Sequence, residues 1–132
     1  MPTITLSVKD ENFAGKVLQE VLIGFHSETV TIRDIIEARV LQEVEAYNQK
    51  QPQYFNGLVQ PADAEKTVNG YQLRNKVVID PEKQVYVALD AFQKNGFFVL
   101  VDTLQCSSLN DKVRLHADTR ISFIKLTPLV GG

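Results

Sequence analysis

The chain of 132 residues has no tryptophan, one cysteine, one methionine and two histidines. A lone Cys106 excludes an internal disulfide, and with His26 and His116 as the whole supply of imidazole, no zinc ligand set occurs at a usual spacing. Surplus charge is also scarce: 16 acidic and 14 basic side chains leave a net −2. No basic block of the kind that tracks phosphates is present, so nucleic acid is not an expected partner. Apolar runs such as Gly96 to Val101 fall far short of the ~20 residues that a membrane span needs, and the Met1–Thr5 start has neither a basic flank nor a signal-like apolar core. The expectation is a soluble, untargeted, cytoplasmic protein. Also missing are a nucleophile–base pair, acids with a reason to be tuned and a phosphate-cradling glycine loop, so no catalytic residue, metal or bound cofactor is assigned.

With 44% hydrophobic and 23% charged residues, the chain has the proportions of one domain with one core. Ile4, Leu6 and Val8 alternate with Thr3, Thr5 and Ser7, the period of a strand with one buried face. A turn is expected over Asp10 to Gly15, then a second strand from Val17 to about Gly24, pairing as a hairpin. Thr31 stands three residues before Asp34, a capping arrangement that starts a helix at Ile32. That helix buries Ile36, Val40, Val44 and Tyr47, leaves Arg33, Glu37, Glu43 and Glu45 facing water or flanking the stripe, and ends before Pro52.

Pro52, Gly57, Pro61 and Gly70 break every periodic window in residues 50–79, which read as an inserted loop region with a helical turn in Ala62 to Val68. Asp80-Pro81 then caps a second helix near 81–95, with Val85, Ala88, Leu89 and Phe92 on one face and Asn95-Gly96 as its stop. Phe97 to Val101 follows as an apolar strand, Asp102-Thr103 as a turn and Leu104 to Cys106 as a short return. Leu109, Val113 and Leu115 cover the far end of the core. His116 to Thr119 turns into a last strand, Ile121 to Leu126, whose apolar residues on both faces suit a central position.

The chain closes on Pro128, Leu129, Val130, Gly131 and Gly132. Two glycines give the thinnest backbone available, able to thread a channel closed to any other pair. A hairpin, a long helix, shorter strands and a central strand running into such a tail resemble the β-grasp fold of ubiquitin. The end is more similar to the small sulfur carriers of molybdopterin and thiamine synthesis. In that family a leucine, a polar turn with aspartate, an apolar strand, proline and terminal Gly-Gly occur in order, matched here by Leu115, His116 to Thr119, Ile121 to Ile124, Pro128 and Gly131-Gly132. Val99 to Asp102 and the Thr31 cap are similar to family features as well. The resemblance covers about residues 3–48 and 97–132; residues 50–96 depart from it as an insertion.

What the resemblance implies is an α+β, β-grasp domain over residues 1–126 and a flexible tail over 127–132. The Gly132 carboxylate would be joined to AMP by a ubiquitin-activating type of enzyme, which uses the ATP; the chain itself would be substrate and not catalyst. Pro128, Leu129 and Val130 would help dock the tail, whereas Leu126 finishes the core. Two outcomes then stay open: transfer to an amine, as in a bacterial-style modifier served by a conjugating enzyme or a deconjugating protease, or a thiocarboxylate that donates sulfur. A third reading is a non-covalent interaction or assembly module, a homo-oligomer included. Cys106 reads as a small hydrophobe and the two histidines as surface residues.

Overall fold

The computed structural model describes residues 3–50, 57–61, 64–67, 70–73 and 78–125. Strand β1, Ile4–Glu11, and strand β2, Val17–Phe25, form the expected hairpin. Asn12 shapes the turn by accepting the amides of Ala14 and Lys16 on its Oδ1, and Gly15 takes a φ of 82°, where an L side chain is strained. Asp10 was expected in that turn. It instead continues β1, paired with Gln19 just before a register shift, and is fully buried.

A short strand β3, Thr29–Thr31, enters helix α1, Ile32–Lys50. The cap is reciprocal: Asp34 N donates to Thr31 Oγ1 at 3.2 Å and Thr31 N donates to Asp34 Oδ2 at 3.0 Å. Ile32, Ile35, Ile36, Val40, Val44 and Tyr47 are buried, as their spacing of three and four dictates. Helix α1 lies on the inner face of the sheet against Leu6, Val8, Ile23, Val99, Ile121 and Phe123.

Two further strands, β4 (Ala64–Thr67) and β5 (Gly70–Leu73), pair antiparallel, so the stretch expected to hold a helical turn contributes to a hairpin. The sequence carries a reason for the correction: Asn69-Gly70 is a turn signal between two short runs, and pairing of those runs outweighs the helical propensity of Ala62 to Lys66. Helix α2, Pro81–Gln93, starts at Asp80, whose carboxylate accepts from Glu82 N and Lys83 N, and it stops at Asn95 with φ 62°. It packs beside α1. Asn48 joins them, accepting from Ile79 N at 2.8 Å and donating to Ile79 O at 3.0 Å.

The remaining strands are β6 (Phe97–Val101), β7 (Leu104–Cys106), β8 (Lys112–Arg114) and β9 (Ile121–Lys125). The main sheet has the order β2-β1-β9-β6-β7, with β9 parallel to β1 and antiparallel to β6; β3 and β8 form a separate pair. The architecture is therefore α+β, a mixed five-stranded sheet with two helices. Strand β9 occupies its centre, which accounts for apolar residues on both of its faces. No helix among the described residues is long and apolar enough to cross a membrane.

Candidate functional site

Gly132, Gly131, Val130, Leu129 and Pro128, the residues that the sequence singles out, lie outside the described residues, as does Leu126. What is described is the root from which they continue. Strand β9 is held on both sides: Ile124 is in register with Glu11 of β1 and with Phe98 of β6, and Lys125 with Phe97. Phe123 is fully buried, its ring 6.1 Å from that of Phe97. The tail thus continues from the central strand of the sheet, which is paired on both sides.

A buried ion cluster sits under this root. The Arg39 guanidinium forms a two-point contact with Asp10, Nη1 to Oδ1 at 2.5 Å and Nη2 to Oδ2 at 2.6 Å. Its Nε donates to Glu43 Oε1, one helical turn on, and its Cζ stands 5.0 Å from the centre of the Phe123 ring. Both Arg39 and Asp10 have no exposed surface. Glu43, read from sequence as facing or flanking water, is instead almost wholly covered. Helical periodicity places positions 39 and 43 on the buried stripe, but only the partner Asp10 on β1 makes two such charges admissible there.

Burial on its own lowers the pKa of Arg39; the Asp10 hydrogen bonds and the fields of Glu43 and Asp10 outweigh it and leave the guanidinium raised and charged. Burial pushes the Glu43 carboxyl above its usual range, opposed by Arg39 and by the amide of Leu58.

That amide belongs to a strap, residues 57–61, which lies over the same end of the core. Leu58 N donates to Glu43 Oε2 at 2.9 Å, Gln84 Nε2 to Val59 O at 2.9 Å, and Lys125 Nζ to Gly57 O at 3.1 Å. Leu58 and Val59 are buried members of the core. Part of the insertion therefore belongs to the interior and touches the last described residue of the tail strand.

On the opposite, outer face of the same end lies an apolar patch that sequence reasoning did not identify. Phe13, in the β1–β2 turn, is 69% exposed, and its ring is 6.1 Å from that of Phe98. Ile124 is the neighbour of Phe98 in the sheet register, and Val17, in register with Glu11, is exposed beside them. The signal was a phenylalanine within a turn otherwise made of Asn12, Ala14 and Gly15, where an apolar ring has no core to enter. Further along, the outer face forms an open groove of about 830 Å³, bordered by Ser7, Lys9, Leu100 and Arg120.

Cys106 is half-buried at the end of β7, with its thiol 3.8 Å from the Leu104 carbonyl. Burial, with Asp111 nearby, pushes the thiol up, away from the thiolate that a nucleophile needs. His116 Nδ1 accepts the Asp118 amide within its turn, and His26 Nδ1 lies 3.4 Å from Thr3 Oγ1. Nothing brings either histidine to the root of the tail. No family model, curated protein or solved structure matches this chain.

Proposed function

We propose that this chain is a ubiquitin-like modifier on a β-grasp scaffold, activated at the Gly132 carboxylate by an ATP-using, ubiquitin-activating type of enzyme and transferred to an amine. The observation that carries the reading is the continuity of the central strand β9 with a terminal Gly131-Gly132. The order β2-β1-β9-β6-β7 with α1 on one face is compatible with a β-grasp sheet, which supports the scaffold assignment. The seven residues after Lys125 give a reach of at most about 25 Å when extended, enough to enter a partner's active site while the body stays outside.

The chemistry follows from the poor leaving group of a carboxylate. A Gly132 carboxylate oxygen attacks the α-phosphorus of ATP held by the partner, and pyrophosphate departs. A partner thiolate then attacks the activated carbonyl and AMP leaves. Finally a lysine amine displaces the thiolate, loses its proton and forms an amide. Gly131 allows close approach at each stage, and Pro128, Leu129 and Val130 are the tail's docking side chains. Phe13, Phe98 and Ile124 supply the apolar surface by which the activating enzyme grips the body next to the root. A conjugating enzyme or a deconjugating protease would use the same end.

The test is mass spectrometry of the chain recovered from its native host. Lys125 is the last site for trypsin, so a conjugated target should yield a lysine bearing the branch Leu126–Gly132. An intact chain heavier by one oxygen-to-sulfur exchange would assign it instead as a sulfur carrier. Unmodified chains alone, with partner binding unaffected by removal of Gly131 and Gly132, would make it a non-covalent interaction module and overturn the proposal.

A further inference from the structure

Most carboxamide side chains in this fold are tied down. Asn12 closes the hairpin turn, Gln19 donates to Asp10, Gln42 to the Leu22 carbonyl and Gln49 to Glu45, while Asn48 and Gln84 hold Ile79 and Val59. Gln60 is engaged as well. Among the described side chains the exceptions are Gln93, Asn95, Gln105 and Asn110. All four line one pocket of about 380 Å³.

They reach it from separate parts of the chain: the last turn of α2, the connection into β6, the edge strand β7 and the loop before β8. Arg33, exposed in the first turn of α1, lines the same pocket and forms no ion pair with a described residue. Its backbone amide is already taken by the Leu109 carbonyl, so what it offers is the guanidinium. Among the described residues no carboxylate lines the pocket; the neighbouring Asp111, beside Cys106, has its Oδ2 engaged by the amides of Ser107 and Ser108. The buried rings of Phe92 and Phe97 and the side chain of Leu109 supply an apolar floor. Cys106, also in the lining, keeps its proton and adds no negative charge.

A permanent cation with a planar fork, four carboxamides that each carry N–H donors and a small apolar floor, with no carboxylate among the described lining residues, match an oxyanion carried on a small organic group. The volume is of the order that small-ligand clefts occupy, ~300–1,000 Å³. We propose that this pocket binds a small phosphate- or carboxylate-bearing ligand, with Arg33 forming the charged fork on the oxyanion and Gln93, Asn95, Gln105 and Asn110 taking its remaining lone pairs. The site is separate from the tail chemistry and holds whether or not Gly132 is activated.

The experiment is a titration of the full-length, nitrogen-15-labelled chain with inorganic phosphate, phenyl phosphate and benzoate at constant ionic strength. It follows the side-chain amide signals of Gln93, Asn95, Gln105 and Asn110 and the Nε–H of Arg33. Saturable shifts centred on those signals below about 10 mM with at least one probe are expected, and the probe that saturates identifies the oxyanion. R33A should weaken that binding about tenfold or more, and R33K by less, because the ammonium keeps the charge and loses the fork. Both variants should keep the wild-type spectrum elsewhere, since Arg33 is exposed. Shifts that do not saturate with any probe, shifts spread over surface lysines, or R33A binding as tightly as wild type would overturn the assignment.

Discussion

At the scale of single residues, a costly arrangement is the cluster of Asp10, Arg39 and Glu43. Three ionisable groups leave water for the interior, and their mutual geometry, with the aromatic face of Phe123, offsets that cost. Removing the central cation leaves two buried acids without a counter-charge. R39A should therefore lower the unfolding free energy by about 3–5 kcal/mol in urea titration, and a loss below about 1 kcal/mol would mean that water or rearrangement replaces the guanidinium. Glu43 gives a pH signature. Its carboxyl binds a proton more tightly folded than unfolded, so its contribution is complete below the unfolded pKa and is lost as pH rises through the folded one. E43Q deletes that term, and it should destabilise more at about pH 5 than at about pH 7. The opposite ordering in paired thermal melts would place the folded pKa below the usual carboxylate value. From sequence, Glu43 faces or flanks water and Arg39, as a charge, carries no signal of burial; the acid that makes Arg39 tolerable is 29 residues away on a strand.

At the scale of elements, local chemistry reads well where short-range signals agree. The Thr31–Asp34 box, Asp80-Pro81 and Asn95-Gly96 mark helix ends to within a residue or two because caps satisfy amides or carbonyls that the helix itself leaves open. D80A should cost about 1 kcal/mol, read as a lower denaturation midpoint with an unchanged m-value. Leu104–Cys106 was legible as the return of an apolar strand, but two other short strands were not. Thr29–Thr31 and Lys112–Arg114 are three residues each, too short for alternation to register, and each exists because the other lies opposite. The strap over residues 57–61 was illegible for a similar reason: its polar anchors, Glu43, Gln84 and Lys125, lie on three other elements. Q84A leaves the Val59 carbonyl without its donor. It should raise the hydrogen-exchange rate of the Leu58 amide about tenfold while the amides of β1 and β9 exchange as before. Equal acceleration throughout would mean that the strap opens only with the whole fold.

At the scale of the whole molecule, the proposed function divides the work between the folded body and an end activated at Gly132. Phe13 is exposed in a turn, so F13S should change stability by less than about 0.5 kcal/mol, and under the proposed modifier function it should lower the rate of ATP-dependent thioester formation with an activating enzyme by about tenfold or more. A matched loss of stability and transfer would assign Phe13 to folding instead of docking. The sequence alone determined the two long helices, the opening hairpin, the strand pair that follows α2, and the placement of a chemically distinctive Gly131-Gly132 after an apolar strand. Each of these rests on periodicity, capping or composition within some twenty neighbouring residues. The two apolar faces of the last strand also gave its central position; only the tertiary structure decided that its neighbours are β1 and β6, that residues 57–61 enter the core, that Phe13 meets Phe98, and that Arg33 shares a pocket with four unengaged carboxamides. These are contacts between segments far apart in the chain, set by how faces and charges fit once the elements exist, and no local pattern encodes which distant partner fulfils them.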